Sequence, residues 1–495
     1  MSEQWDPRFD ERSFNKLNEK AVPPSWTDEE ENRVVRKLDM YLLPWMCVCY
    51  TSLLVDRGNI STAYIINRET PSHTMVNQLG LTGSQPNWAI SAFYFGFVLF
   101  EIPSNLLITK FNPSRWIARI MTSWGIAATC MAAVNNFPSL VAVRVIIGIM
   151  EAGFGPGMML YLAFWYKKYQ VSGRWATMYA GGLLLSNFGI LISYGVAFMD
   201  GRGGLPGWRW LFIIEGAASV LIGIATAFIL PDYPQTCKFL NDREKEIVIG
   251  RLPPTGPTMH AKDMKLGEIL DAFTDWTMYA FALSLVLLLT TVSALSSFQP
   301  TIINQMGFVS TTAQLMGIPT SLATTFFVVT SNWSSDYQQE KAIHGVVVLV
   351  PPIIGYFLLA TIQPSLSPGG RYGLLFLLMS SSSFIPLVSG FATISTKGAS
   401  RAAVRSAFTL AIGNIGAAAG AQVYQSDDAP LYVRGHFINA GFVIGALCVY
   451  LVTVWIVTKR GEYTGPKANL MVIEHGGVEL GDSQFLSFEQ VVPKS

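Results

Sequence analysis

Long apolar runs separated by short polar loops occupy most of the chain. They fall at 40–63, 87–109, 115–135, 139–165, 173–199 and 208–230, then at 275–299, 311–333, 343–362, 371–391, 402–424 and 434–458. A helix rising 1.5 Å per residue needs about 20 residues to cross a hydrocarbon core of about 30 Å. The pattern therefore predicts an all-α membrane protein of twelve transmembrane helices in two pseudo-symmetric six-helix halves. The halves, 40–230 and 275–458, are separated by a charged central loop at 231–274, in which NDREKEIVIGR reads as a short surface helix. An N-terminal segment, 1–39, and a tail, 459–495, flank them. After Gly461 the tail mixes Gly, Glu and Ser without periodicity and is expected to be mobile.

The first run poses a problem. Its apolar part, Leu42 to Val55, spans only about 21 Å. It is followed by Asp56, Arg57 and Asn59, and then by another apolar patch, Ala63 to Ile66. Either the helix leaves the bilayer early or it carries an acid and a base through it. The preceding TDEEENRVVRKLD predicts a helix start, with Thr27 as N-cap and Glu30 completing a capping box. We expect this start to lie along the membrane surface.

Loop charges set the orientation. Lys110, Arg115, Lys167, Lys168, Arg174, Lys341, Lys397, Arg401, Lys459 and Arg460 fall on one side, against Arg68, Arg202, Arg371 and Arg434 on the other. The excess of Lys and Arg predicts that both termini and the central loop are cytoplasmic.

Composition narrows the function. Of 495 residues 51% are hydrophobic and only 14% charged, with a mean hydropathy of +0.36; soluble proteins carry about 25% charged residues. A net charge of +1 suggests no nucleic-acid partner. The five cysteines, Cys47, Cys49, Cys130, Cys237 and Cys448, form neither a disulfide framework nor a zinc pattern. The first 35 residues are polar and acidic, unlike a cleavable signal peptide. No nucleophile–base pairing, metal spacing or phosphate loop stands out, so neither an enzyme nor a cofactor is expected. GFGPG lacks the strand–turn–helix context of a nucleotide loop.

The chemistry concentrates in four charges. Asp56 and Arg57 form one candidate pair; Arg144 and Glu151, in VRVIIGIMEAGF, form another. A charge at mid-membrane costs at least about 2.5–3.5 kcal/mol. Counting residues from the helix ends places Asp56 about 24 Å in from the cytoplasm and Arg144 about 8 Å in from outside, near the same level of a core of about 30 Å, with Glu151 about 18 Å in, close to the midplane. The reading is a cluster lining a cavity between the first and fourth helices. Its acids carry protons, and its arginines stay fixed cations suited to a carboxylate. A structural salt-bridge network, or Arg57 snorkelling outward, is the plainer alternative.

Other polar positions carry weaker signals. Asn187, beside Ser186, forms an interhelical hydrogen bond or lines the cavity. Glu101 is expected near the inner end of its helix, paired with a cytoplasmic base, and His436 on the outer surface. Gly153, Gly155 and Gly157 in the fourth helix, and Gly413, Gly416 and Gly420 in the eleventh, read as close-packing or flexing positions.

At these residues the chain resembles a known family. LDMYLLPWMCVCYTSLLVDRGNIS, NPSRWIARIMTSWG, RVIIGIMEAGFGPGMMLYLAFWYKK, GWRWLFIIEG and GNIGAAAGAQVYQSDDAPLYVRGH are similar to stretches of the anion:cation symporter family of the major facilitator superfamily. More narrowly, they resemble the fungal allantoate permease-like branch, over roughly residues 35–460. The resemblance implies transport of small organic anions such as allantoate, nicotinate, pantothenate or biotin, often driven by protons. It places the proton-coupling acids on Asp56 and Glu151 and the bases on Arg57 and Arg144, and a substrate-contacting amide on Asn414. The sequence departs from the family at Tyr337, where a base usually follows an acid like Asp336, and at SGFATISTKGASR.

The expected function is a proton-coupled transporter of a small organic anion working by alternating access. It would act as a monomer in the plasma membrane, with protons, the anion and lipid as its partners and with Asn187 beside the substrate. A proton-antiporting exporter of a secondary metabolite and a transport-inactive nutrient receptor remain open on the same fold.

Overall fold

The computed structural model describes residues 26–108, 111–252, 273–338, 340–396, 399–461 and 463. Residues 1–25, residues 253–272 of the central loop and the tail beyond Tyr463 lie outside the described residues, as does the expected mobility of that tail.

Each expected span falls on helix. The first half comprises α1 (Asp28–Ala63), α2 (Gln85–Ile108), α3 (Pro113–Cys130), α4 (Phe137–Glu151), α5 (Phe154–Ala163), α6 (Lys168–Leu185), α7 (Asn187–Ala197) and α8 (Gly207–Ile229). After α9 (Asp242–Gly250), the expected surface helix, the second half comprises α10 (Trp276–Gln305), α11 (Ser310–Leu315), α12 (Gly317–Tyr337), α13 (Ala342–Val347), α14 (Val350–Thr361), α15 (Pro368–Leu378), α16 (Phe384–Ile394), α17 (Ala399–Gly420) and α18 (Val433–Lys459). Among the described residues nine stretches are long and apolar enough to cross a membrane. α2, α3 and α17 occupy the other three expected positions.

The packing repeats between the halves. α1 pairs with α6, α3 with α8 and α2 with α4; correspondingly α10 pairs with α17, α14 with α18 and α12 with the 3-10 turn at Met379–Ser383. Glycines permit the closest approaches. A Cβ on Gly148 would collide with the Phe93 carbonyl, and one on Gly416 with the Val286 carbonyl. Small residues of this kind let helix backbones meet in lipid.

The helix start differs from expectation. Thr27 and Glu30 do form the capping box, but the helix runs unbroken from Asp28 into the first span instead of lying apart on the surface. Pro44 sits inside it. Val34, Val35 and Leu38 are buried against α9 residues Ile247 and Val248. The start is pinned by Lys37–Glu244 at 2.7 Å, Arg174–Asp39 at 2.8 Å and Lys167–Glu31 at 2.5 Å. These ties compensate charge at both sides of the first turns and draw the segment onto the bundle end.

Gly153 also departs from the packing reading. It takes φ +85°, a left-handed conformation, and separates α4 from α5 two residues after Glu151. His436 is fully buried, its Nδ1 3.1 Å from the Tyr424 hydroxyl, and not on the surface as expected. It lies on α18, and α18 packs inward on α10 and α14.

Hydrogen bonds join the halves at the end that carries the 64–84 loop. Asn87 Nδ2 donates to the Ala421 and Tyr424 carbonyls at 2.9 and 2.7 Å, and Ser91 Oγ donates to the Ala418 carbonyl at 2.9 Å. Gln422 donates to Ser91 Oγ at 2.8 Å, and Arg68 to Asn304 at 3.1 Å.

Candidate functional site

The close approach of α2 and α4 builds the site. With Gly96 against Val145 and Gly148 against Phe93, the Phe93 ring comes within range of two arginines. Arg57 Cζ, from α1, lies 5.4 Å from the ring centroid, and Arg144 Cζ, from α4, lies 5.0 Å from the same centroid. Phe97 adds a second face to Arg57 at 4.8 Å. Aromatic faces offset part of the cost of holding a guanidinium away from water.

Each arginine has one anchored nitrogen. Arg57 Nε donates to Glu151 Oε1. Arg144 Nε donates to the Ala89 carbonyl at 3.2 Å. The terminal nitrogens of both carry no hydrogen bond to a described residue. Arg144 is 2% exposed and Glu151 fully buried, whereas the Arg57 side chain is 26% exposed. Two forks of unsatisfied N–H donors on fixed cations suit a bidentate oxyanion such as a carboxylate.

The four expected charges do not form one hydrogen-bonded cluster. Arg57, Arg144 and Glu151 gather around Phe93. Asp56 turns the other way and is buried among α1, α3 and α8. There its Oδ2 accepts from Trp124 Nε1 at 2.9 Å and from the Ser219 hydroxyl, which also accepts from Ser52 at 2.8 Å. Its Oδ1 has no hydrogen-bond partner. Consecutive helical residues point about 100° apart, so Asp56 and Arg57 cannot share a face. The expected Asp56–Arg57 pair is therefore replaced by an Arg57–Glu151 pair between helices. Asp56 lacks a cation within ion-pair distance among the described residues.

Asn187 does not reach the arginines. Its amide nitrogen donates to the Leu184 and Leu183 carbonyls at 2.8 and 3.4 Å, at the break between α6 and α7, and its Oδ1 has no hydrogen-bond partner. Asn414, on α17, donates to the Leu410 carbonyl at 3.1 Å and lies beside Glu101. Glu101 is the residue that sequence reasoning misplaced. It is 3% exposed, within electrostatic reach of Arg57, and has one oxygen without a partner. It lies two turns before the inner end of α2 at Ile108, so its partner comes from neighbouring helices and not from the loop beyond. Among the described residues, no group of His, Cys, Asp and Glu could hold a metal ion.

Comparison with known proteins gives this arrangement its context. A fungal MFS transporter, prlL, is 34% identical over 91% of this chain and 90% of its own length. The major facilitator-type transporter hxnP of Emericella nidulans is 30% identical, covering 82% and 81%. A putative tartrate transporter of Agrobacterium vitis is 29% identical, covering 88% and 98%. Among solved structures, a bacterial homolog of the human lysosomal transporter Spinster superposes with a TM-score of 0.64 at 16% identity, covering 89% of this chain and all of that one. The xylose transporter XylE of E. coli gives 0.57 at 13%, covering 81% and 96%. The Major Facilitator Superfamily model matches residues 46–421, and with a buried cationic site set in two repeated helical halves, this membrane transporter chain belongs to the Major Facilitator Superfamily.

Proposed function

We propose that this protein is a proton-coupled transporter of a small organic anion bearing a carboxylate, of the anion:cation symporter type. The observation that carries the reading is the pair of guanidiniums at Arg57 and Arg144, each anchored through Nε and each leaving its fork unbonded beside Phe93. A fixed cation buried in a bundle is costly unless something compensates it. An anionic cargo would compensate both.

Glu151 supplies the coupling logic. While ionised it holds Arg57. When it takes up a proton the ion pair loses its Coulombic attraction, and Arg57 is released to the anion. Proton and anion therefore load together, and a proton gradient moves the cargo because binding of the one favours binding of the other. Asp56 is the second proton-carrying acid, Asn414 a polar contact from the opposite half, and Asn187 a hinge-side contact reached on closure. The lysine- and arginine-rich loops favour cytoplasmic termini; the proposed transporter is a monomer of the plasma membrane.

The test is uptake into proteoliposomes with an imposed pH gradient, using labelled tartrate, allantoate, nicotinate and pantothenate with a wider carboxylate panel as competitors. Uptake stimulated by acid outside supports the reading. Extrusion against the proton flow would indicate an exporter, and saturable binding without flux a receptor.

A further inference from the structure

Asp56 has a neighbour that the anion site does not use. Glu215 lies on α8 within the segment GWRWLFIIEG, one turn before Ser219, whose hydroxyl bonds Asp56. Residues four apart on a helix share a face, with Cβ atoms about 5–6 Å apart. Glu215 is 3% exposed, and its Oε2 has no hydrogen-bond partner. Gly216, next to it, packs on Thr129 and Gly125 of α3, so α8 and α3 lie backbone to backbone at this level.

From the elements packed against α8, the charged group that reaches Glu215 is Asp56 of α1. α3 contributes Trp124 and Thr129, both neutral, and α7 presents no charged residue there. Arg144 and Glu151 reach Asp56 electrostatically, but Arg144 is bonded to Ala89 and Glu151 to Arg57. Asp56 and Glu215 thus form two buried carboxyl groups, each with one unpartnered oxygen and neither with a cation of its own.

We propose that Asp56 and Glu215 form a carboxyl pair that shares one proton inside the first half, and that Glu215 is a proton-holding residue of the transport cycle. Two ionised carboxylates so placed would repel across a low-dielectric interior with nothing to compensate them. With one proton the pair keeps a single negative charge, and the acid O–H of one group donates to the free oxygen of the other. Transfer from Glu215 to Asp56 leaves Glu215 as the carboxylate and Asp56 as the acid, so charge and protons balance. The pair lies behind the Arg57–Glu151 site, between α1, α3 and α8. Its charge is felt at the arginine site through α1, which carries Asp56 and Arg57 side by side.

The role assigned here rests on the proton-coupled reading, but its test needs no cargo. Infrared difference spectra of the full chain in liposomes, recorded across a pH titration, report the C=O stretch of protonated carboxyls. The wild type should titrate in two linked steps, because coupled groups share macroscopic midpoints. Glu215→Gln and Asp56→Asn should each lose one C=O component and leave a single step, while Glu215→Asp should restore two. A carboxyl band and titration unchanged in Glu215→Gln would overturn the pair, as would loss of the second step in Glu215→Asp when that variant melts like the wild type. Failure of the anion reading would show instead as full carboxylate binding by Arg57 and Arg144 variants, with the infrared result intact.

Discussion

Asp56 and Arg57 show how far a side chain's partner depends on helix rotation. The sequence marks both as buried charges, and the rotation of about 100° between them sends one to α8 and the other to α4. The identity of the charges was therefore legible, but counting residues put Asp56 level with Arg144 and did not reveal that Arg57 meets Glu151. Which neighbour each one meets was not legible, because the azimuth of α1 is set by α3, α6 and α8 together. Two predictions belong at this scale. Arg144→Ala removes one charged donor set and should weaken carboxylate binding by about 10- to 100-fold, equivalent to the roughly 1.5–3 kcal/mol of a charged hydrogen bond, measured by competition binding. Glu151→Gln should keep anion binding, since Arg57 is freed, but abolish accumulation driven by a pH gradient. Undiminished accumulation in that variant would remove Glu151 from the coupling.

At the scale of elements, breaks and caps matter more than propensity. Apolar length alone located each span, yet it could not show that the fourth is two helices. Gly153 makes that break in a left-handed conformation, and a Cβ there is strained whatever space surrounds it. Gly153→Ala should cost about 1–2 kcal/mol of stability, read as a lower melting temperature in detergent. A second cap sits at the loop before α13. Glu340 accepts from the Ile343 N–H at 2.8 and 2.9 Å, from the His344 N–H at 3.2 Å and from the Tyr463 hydroxyl at 3.0 Å. Burial acts to raise its titration point, but the Ile343 N–H, the His344 ring, the Tyr463 hydroxyl and the His344 N–H outweigh it, and the carboxyl is held below the usual range. A group whose folded titration point is depressed contributes stability above its unfolded value and loses it as pH falls through the folded one. Melting temperature should therefore drop more steeply on acidification below about pH 4 in the wild type than in Glu340→Gln. Parallel curves would deny the cap its charge.

Across the whole molecule, the repeated pairing of helices was legible as six runs, a gap and six runs. The contact between halves was not, because it depends on polar side chains that look unremarkable in sequence. Asn87 and Ser91 tie α2 to the end of α17. Asn87→Ala removes two hydrogen bonds, about 1–2 kcal/mol net, and should shift the population toward states open at the 64–84 end. Cysteine accessibility at that end, labelled in vesicles, should rise several-fold; an unchanged labelling rate would show that packing alone holds the ends together.

The acceptors in that tie are carbonyls of Ala418, Ala421 and Tyr424, supplied by main chain, not by side chains. Substituting the second half's residues at those positions leaves the acceptors in place. The ease of opening is thus tunable from α2 alone, so variants that alter turnover without touching the cargo should collect at Asn87 and Ser91 and be sparse on the strand of chain they grip.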